Sequence, residues 1–268
     1  MKDIRGKIAL VTGGAMGMGR LWVEEFLADG AKVVIWDVNE ESLRQAEADL
    51  KAKGLVYTYM CNVAKRKQVY EVAERVKKEI GEVDILVNNA GIVRASPFLE
   101  TPDEDFEAVV DVDLMAMFWT MKAFLGDMVK KNRGHIVNIS SAAGLIGVPR
   151  MAAYCTSKWG VLGLTESVRQ EVKLEGKDGI HFTVVCPSYV ATGMFEGAKP
   201  PLFTNMLKPN AMVKIAYKAF KNDEYIVREP WMVKITPILR EILPLPMFDL
   251  VSDVLGVTAS MTEWKGRG

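Results

Sequence analysis

Ser141, Tyr154 and Lys158 are the residues of this chain best suited to do chemistry. Tyr154 and Lys158 are four positions apart, so on a helix their side chains share one face. An ammonium beside a phenol favours the phenolate and lowers a pKa that is normally about 10. A phenol tuned in this way can exchange a proton with a substrate oxygen. The Ser141 hydroxyl could hydrogen-bond the same oxygen and orient it. Far upstream lies the run Thr12-Gly13-Gly14-Ala15-Met16-Gly17-Met18-Gly19. Small residues there let the backbone approach a pyrophosphate. The N-terminus of a following helix would add N–H donors and a partial positive charge.

Asp37 closes the next apolar run, 18 residues after Gly19. A carboxylate at that place accepts both hydrogens of an adenosine ribose diol and repels a 2′-phosphate. No Arg or Lys lies within the glycine run or directly after Asp37 to welcome such a phosphate. The residues therefore point to NAD rather than NADP. Hydride exchange with a nicotinamide, joined to proton exchange at Tyr154, amounts to interconversion of an alcohol and a ketone.

These residues need elements to position them. Ile8-Ala9-Leu10-Val11 reads as a strand leading into the glycine turn, and a helix from about Gly19 to Asp29 follows, stopped by Gly30. The alternation continues with strands over 32–37, 56–61, 84–88, 135–139 and 181–186, and helices over 40–53, 69–80, 106–130 and 153–174. Near-continuous apolar strands between helices predict a parallel sheet covered on both faces. The expected fold class is α/β: one domain over residues 1–268, a Rossmann-like doubly wound parallel sheet with helices on both faces. Past Pro187 the regular signals thin out. The apolar tail over 229–268 carries Pro230, Pro237, Pro244 and Pro246, which are expected to break it into short pieces.

Composition excludes several classes. Acidic and basic side chains balance at 34 each, which removes any electrostatic ground for a nucleic-acid partner. No apolar run is long enough to span a bilayer, and Met1 to Gly6 shows no signal region. The expectation is a soluble, cytoplasmic protein without an integral membrane segment. Cys61, Cys155 and Cys186 are widely spaced, which indicates neither a metal site nor a disulfide framework. His135 and His181 open strands and are expected to be solvent-facing or satisfied, not catalytic.

In combination the motifs resemble the short-chain dehydrogenase/reductase family, in its compact single-domain branch, over roughly Lys7 to Met194. Thr12-Gly13-x-x-x-Gly17-x-Gly19 is similar to the family's cofactor turn. The resemblance implies cofactor contacts at Gly13, Met16, Gly17, Met18 and Gly19, and at Val38 beside Asp37. Asn88-Asn89-Ala90-Gly91 resembles the motif that ends the fourth strand and supports the adenosine side. Ser141, 13 residues before Tyr154, and Tyr154-x-x-x-Lys158 resemble the catalytic set. Carried over, Tyr154 is the acid/base, Lys158 binds the nicotinamide ribose and Ser141 positions the substrate.

Three positions depart from the family pattern. Asp113 stands in Val112-Asp113-Leu114 where an Asn is usual, a residue that helps hold a water leading to the lysine. That contact is made by a backbone carbonyl, which Asp113 retains, whereas its ionised side chain cannot donate a hydrogen bond. Asn62, before Val63, replaces an Asp, and its amide can still bond an adenine edge. Pro187-Ser188 replaces Pro-Gly, so Ser188 and Tyr189 add bulk near the nicotinamide. Val190 and Thr192 still match the positions that meet the carboxamide.

A finer resemblance, to the retinol and 17-beta-hydroxysteroid dehydrogenase subgroup, rests on three runs. They are Phe118-Trp119-Thr120-x-Lys122-Ala123-Phe124-Leu125, Gly134-His135-Ile136-Val137 and Tyr154-Cys155-Thr156-Ser157-Lys158, joined by Ile242-Leu243-Pro244 in the tail. It implies a bulky apolar alcohol or ketone such as a hydroxysteroid, in a pocket made by Ser141, Ala143, Leu145, Tyr154, Ser188, Tyr189, Met194 and Phe195. The loop over 188–210 closes over substrate in such relatives, and Leu202, Phe203 and Met206 would make it an apolar lid. The tail, with Trp231, Leu239, Ile242, Leu243, Met247, Phe248 and Leu250, is expected to seal the pocket or bury a subunit contact. A membrane-surface role ranks below these, its weak basic flank being Lys234, Arg240, Lys265 and Arg267. In the family the helices after the fourth and fifth strands pair across a dimer axis. Trp159 suits that role, and a homodimer or homotetramer is expected. Two alternatives stay open. A 3-ketoacyl-carrier reductase usually wants NADPH, against which Asp37 counts. A non-catalytic NAD-binding sensor or scaffold would not need the intact Ser141, Tyr154 and Lys158 set.

Overall fold

The structure is a computed structural model that describes residues 3–266; Arg267 lies outside them. Seven strands, β1 (Ile8–Thr12), β2 (Lys32–Asp37), β3 (Val56–Met60), β4 (Ile85–Asn88), β5 (Gly134–Ile139), β6 (Ile180–Pro187) and β7 (Ile226–Glu229), form one sheet. Their order is β3-β2-β1-β4-β5-β6-β7, and every pair is parallel. Among the described residues nine α-helices accompany them: α1 (Gly17–Ala28), α2 (Glu40–Leu50), α3 (Arg66–Glu79), α4 (Asp103–Val110), α5 (Ala116–Lys131), α6 (Ala152–Leu174), α7 (Pro209–Lys221), α8 (Trp231–Ile242) and α9 (Leu245–Val254).

The strands read as solid apolar runs because both faces of the sheet are covered. Successive side chains point to opposite faces. Ala9, Val11, Val33, Ile35 and Val87 enter one core with α1 and α7. Ile8, Leu10, Val34, Trp36 and Leu86 enter the other, with α3 and α5. On the first face Trp22, Phe26, Tyr217 and Phe220 pack with ring centroids 5.5 to 6.3 Å apart. Burying each such ring stabilises the fold by roughly 2–3 kcal/mol. β1 lies between β2 and β4, so the chain's crossovers part on either side of it. That is where an open α/β sheet leaves a crevice beyond the carboxyl ends of its strands.

A buried polar chain locks the helices that bear the site onto the sheet. Asn88 Nδ2 donates to Asn138 Oδ1 at 2.8 Å, Thr120 Oγ1 donates to Asn88 Oδ1 at 2.6 Å, and Asn138 Nδ2 donates to Thr165 Oγ1 at 2.8 Å. It joins β4, β5, α5 and α6. With every member satisfied, such a network fixes one arrangement.

The structure corrects the sequence reading in three places. The helix expected over 106–130 is interrupted: α4 passes through a π-helical turn, Asp111–Met115, into α5. α7 and β7 were not anticipated. The tail prolines do not all break helices. Pro230 and Pro244 occupy N-cap positions and Pro246 lies in the first turn, where a missing N–H costs nothing, while Pro237 sits inside α8. Among the described residues no helix is long and apolar enough to cross a membrane, and no cluster of side chains suits a metal ion. All three cysteines are buried free thiols, and His135 is buried with Nε2 2.9 Å from Thr183 Oγ1.

Candidate active site

Two clefts meet at the carboxyl edge of the sheet. The larger, about 1200 Å³, is built by the turns that follow β1 to β6. Its floor is the glycine turn. Gly17 opens α1 with φ +58°, and a Cβ there would meet nothing nearer than Thr192 Cγ2 at 3.9 Å, so its free side faces the cleft. Gly19 does something different. A Cβ on it would lie 2.1 Å from the Gly13 carbonyl oxygen and 2.6 Å from Asn89 Nδ2. Gly19 therefore lets the turn close on itself and does not line the cleft, which corrects its expected place among the contact residues. Thr12 ties the turn to β4: its Oγ1 accepts from the Asn89 and Ala90 N–H groups at 3.0 and 3.1 Å. Sequence reading gave Thr12 no role, although it opens the motif.

Asp37 ends β2 at the rim. Its Oδ2 accepts from Ala15 N at 3.2 Å and its Oδ1 from Asn39 N at 3.1 Å. The carboxylate thus braces the glycine turn while lining the cleft. Met16, Met18, Val38, Asn62 and Val63 line the same side; Asn89, Ala90, Gly91, Pro187, Val190 and Thr192 line the rest. No side chain caps the first turn of α1, which leaves its N–H donors facing the cleft. A free glycine face, an uncapped helix N-terminus and a carboxylate at the far rim together fit a dinucleotide.

The second cleft, about 860 Å³, is apolar, and among the described residues no charged side chain lines it. Ala143, Ile146, Met151 and Tyr189 form one side; Met232, Thr236 and Leu239 of α8 and Phe248 and Val251 of α9 form the other. The two clefts share Ser141, Tyr154, Ser188 and Phe195. The residues with chemistry thus stand at the junction. Phe195 meets the Tyr154 ring edge-on at 6.1 Å and the Tyr189 ring at 5.2 Å.

Several expected pocket residues lie elsewhere. Leu145 packs into the core with Val184, Cys186 and Val233 and does not line the cleft. Met194 lines the dinucleotide-shaped cleft and not the apolar one. Of the lid, Leu202 lines the apolar cleft, while Phe203 is 75% exposed and turns outward. The lid is held by the end of the chain: Trp264 Nε1 donates to the Met194 carbonyl at 3.1 Å, Leu202 N to Leu255 O at 2.8 Å, and Lys199 pairs with Glu263. Of the tail residues named from the sequence, Leu239 of α8 and Phe248 of α9 line the apolar cleft, whereas Met232, Thr236 and Val251 beside them were not named. In α8 their signal was present, since Met232, Thr236 and Leu239 recur at the spacing of one helical face.

Tyr154 and Lys158 both project from the first turns of α6, and both are buried. Lys158 Nζ lies 5.3 Å from the Tyr154 ring centroid, donates to the Ile139 carbonyl at 3.1 Å and pairs with Asp113 Oδ2 at 3.0 Å. The other Asp113 oxygen accepts from Ile92 N at 2.8 Å. Ser141 Oγ accepts from Ala143 N at 3.1 Å, and its hydroxyl also reaches the Tyr154 phenol. Burial, helped by the nearby Asp113 charge, pushes the Tyr154 phenol well above its ordinary range against the pull of Ser141. This departs from the expectation that Lys158 lowers it: burial outweighs any such pull, and the ammonium itself pairs with Asp113. Burial likewise raises the Asp113 carboxyl, while Lys158 and the Ile92 N–H draw it back. Trp159, expected at a subunit contact, is 40% exposed, and the Arg240 guanidinium lies 4.3 Å over its ring.

Comparison with known proteins agrees with this geometry. Residues 7–201 match the short chain dehydrogenase family. Epidermal retinol dehydrogenase 2 of Mus musculus is 41% identical over 266 residues, covering 98% of this chain and 86% of the relative. Among solved structures, a short chain dehydrogenase/reductase of Burkholderia phymatum in complex with NAD superposes with TM-score 0.82 at 26% identity, over 90% of this chain and 95% of the other. A metagenomic short-chain oxidoreductase in complex with NADP gives TM-score 0.72 at 27% identity, over 85% and 96%.

Proposed function

The chain belongs to the short chain dehydrogenase family of oxidoreductases, which act on CH–OH groups, and we propose that it uses NAD to interconvert a bulky apolar alcohol, of retinoid or hydroxysteroid size, with its carbonyl. One observation carries this reading: the dinucleotide-shaped cleft and the apolar cleft meet at Ser141 and Tyr154.

The bound nicotinamide supplies the acceptor or donor of hydride. The chain does the rest. Tyr154 Oη receives the alcohol proton in oxidation and returns it in reduction. Ser141 Oγ holds the same oxygen in line. Lys158 holds a positive charge behind the tyrosine and a donor toward the cofactor cleft. Asp37 selects NAD, since a 2′-phosphate would meet its carboxylate; solved relatives hold either dinucleotide, so overall likeness does not decide this. The uncharged walls from α8 and α9 favour desolvation of a large hydrocarbon skeleton and offer a small polar alcohol little. Three buried free thiols are in keeping with the reducing cytoplasm, and the exposed edges of Phe118 and Trp159 on α5 and α6 with self-association.

Tyr154→Phe is the test. Turnover falls by roughly 10²–10⁴-fold while NAD affinity by calorimetry stays the same. Retained turnover would mean that another group moves the proton.

A further inference from the structure

Asp113 is the one residue of the catalytic cluster whose chemistry differs in kind from the residue it replaces in the family pattern. An asparagine there would be neutral. Asp113 brings an anion to the centre of the protein, and three features of the structure aim it at Lys158.

The π turn places it. Asp113 is the middle residue of Asp111–Met115, where the helix widens by one residue. α6 then comes unusually close to that turn, because Gly160 gives it room: a Cβ on Gly160 would lie 2.6 Å from Leu114 Cδ2. With the two helices this close, Asp113 Oδ2 and Lys158 Nζ meet at 3.0 Å, both almost fully buried. The second carboxylate oxygen is fixed by Ile92 N at 2.8 Å, so the side chain cannot swing away.

The groups that face Lys158 and Tyr154 come from every neighbouring element. Asp113 faces Lys158 from the π turn, and Cys186 comes from β6. Cys155 of α6 and Tyr189 from the segment after β6 face Tyr154. Both cysteine thiols are pushed up by burial, which keeps them neutral. Asp113 is thus the anion that competes with a Tyr154 phenolate for the Lys158 ammonium.

We infer that Asp113 is a positioning residue: it claims the Lys158 ammonium and so keeps Tyr154 in its proton-donating phenol form, and alcohol oxidation runs at more alkaline pH than an asparagine there would allow. This rests on the reaction proposed above. In oxidation the Tyr154 phenol first loses its proton to solvent, the resulting phenolate then takes the alcohol proton, and the hydride leaves to the nicotinamide. Anything that neutralises Asp113 frees Lys158 to pair with that phenolate.

The test is Asp113→Asn, which keeps an acceptor for Ile92 N but removes the charge. Two quantities are measured against pH. One is kcat/KM for alcohol oxidation. The other is the number of protons released when NAD binds, from calorimetry in two buffers of different ionisation enthalpy. The midpoints of both fall by about one pH unit in the variant, a tenfold gain in rate at a fixed pH on the acid limb. Asp113→Ser, smaller and also uncharged, is made alongside in case the first variant does not fold. The proton-release midpoint decides. An unchanged midpoint in a folded variant overturns the inference, as does failure of both variants to fold, which would make Asp113 purely structural. If NAD binds but no alcohol turns over, the proposed reaction fails while the proton count still judges Asp113. If no dinucleotide binds, both fall.

Discussion

The two clefts that meet at Tyr154 are built on different principles. The dinucleotide-shaped cleft is made by backbone: turns at the ends of parallel strands, a glycine-rich entry to α1 and a carboxylate that braces it. Its shape follows from the sheet, so it is fixed wherever the fold is fixed. The apolar cleft is made by side chains carried on α8, α9 and the segment after β6. These elements attach to the sheet's edge and to one another, and their chemistry can change without disturbing the strands. One cleft therefore reports the family and the other reports the substrate.

Each half of that contrast can be broken separately. Of the substitutions confined to one cleft, that of Asp37 is expected to have the largest effect. Asp37→Ala removes the ribose acceptor and one brace of the glycine turn, and weakens NAD by roughly 10–100-fold, since a hydrogen bond to a charged group contributes about 1.5–3 kcal/mol. Calorimetry reads it, and the KM for the alcohol should move far less. An equal loss in both would mean that the clefts are not independent.

Next comes pH. Tyr154 is raised above its ordinary range by burial, so at neutral pH it is a phenol. A phenol donates and must be deprotonated to accept. Alcohol oxidation should rise about tenfold per pH unit through the alkaline range, while carbonyl reduction is flat or falls there. A rate of oxidation independent of pH from 7 to about 10 would place the proton elsewhere.

On the apolar side, Thr236→Trp fills the cleft from α8. It should raise the KM of a bulky alcohol by about tenfold and leave NAD affinity alone, as overpacking a formed cavity costs about 1–3 kcal/mol. An unchanged KM would remove α8 from the substrate wall. The smallest effect is expected at Leu145→Val. That side chain packs against Val184, Cys186 and Val233, so the change costs about 1 kcal/mol of stability, read as a lower Tm, with KM unaltered.

The same contrast explains what was legible in the sequence. The glycine turn, Asp37, Asn89 and the Tyr154/Lys158 pair could be read because each is a local spacing that a strand or helix turns directly into geometry. The network of Asn88, Thr120, Asn138 and Thr165 could not, since it joins four elements whose packing no local pattern states. The π turn was hidden because apolar spacing on either side of Asp113 stays helical, and one added residue leaves no composition signal. β7 escaped as a four-residue strand containing Arg228 and Glu229. α8 was obscured by Pro237, which local rules take as a break and which tertiary packing here accommodates.

The most direct measurement is a set of initial rates for the purified protein against retinol, hydroxysteroids and short polar alcohols, each with NAD and with NADP. The two-cleft account predicts NAD-dependent turnover of a bulky apolar alcohol, with short alcohols and NADP far behind. Short polar alcohols outperforming every apolar one, or NADP serving better than NAD, would contradict it.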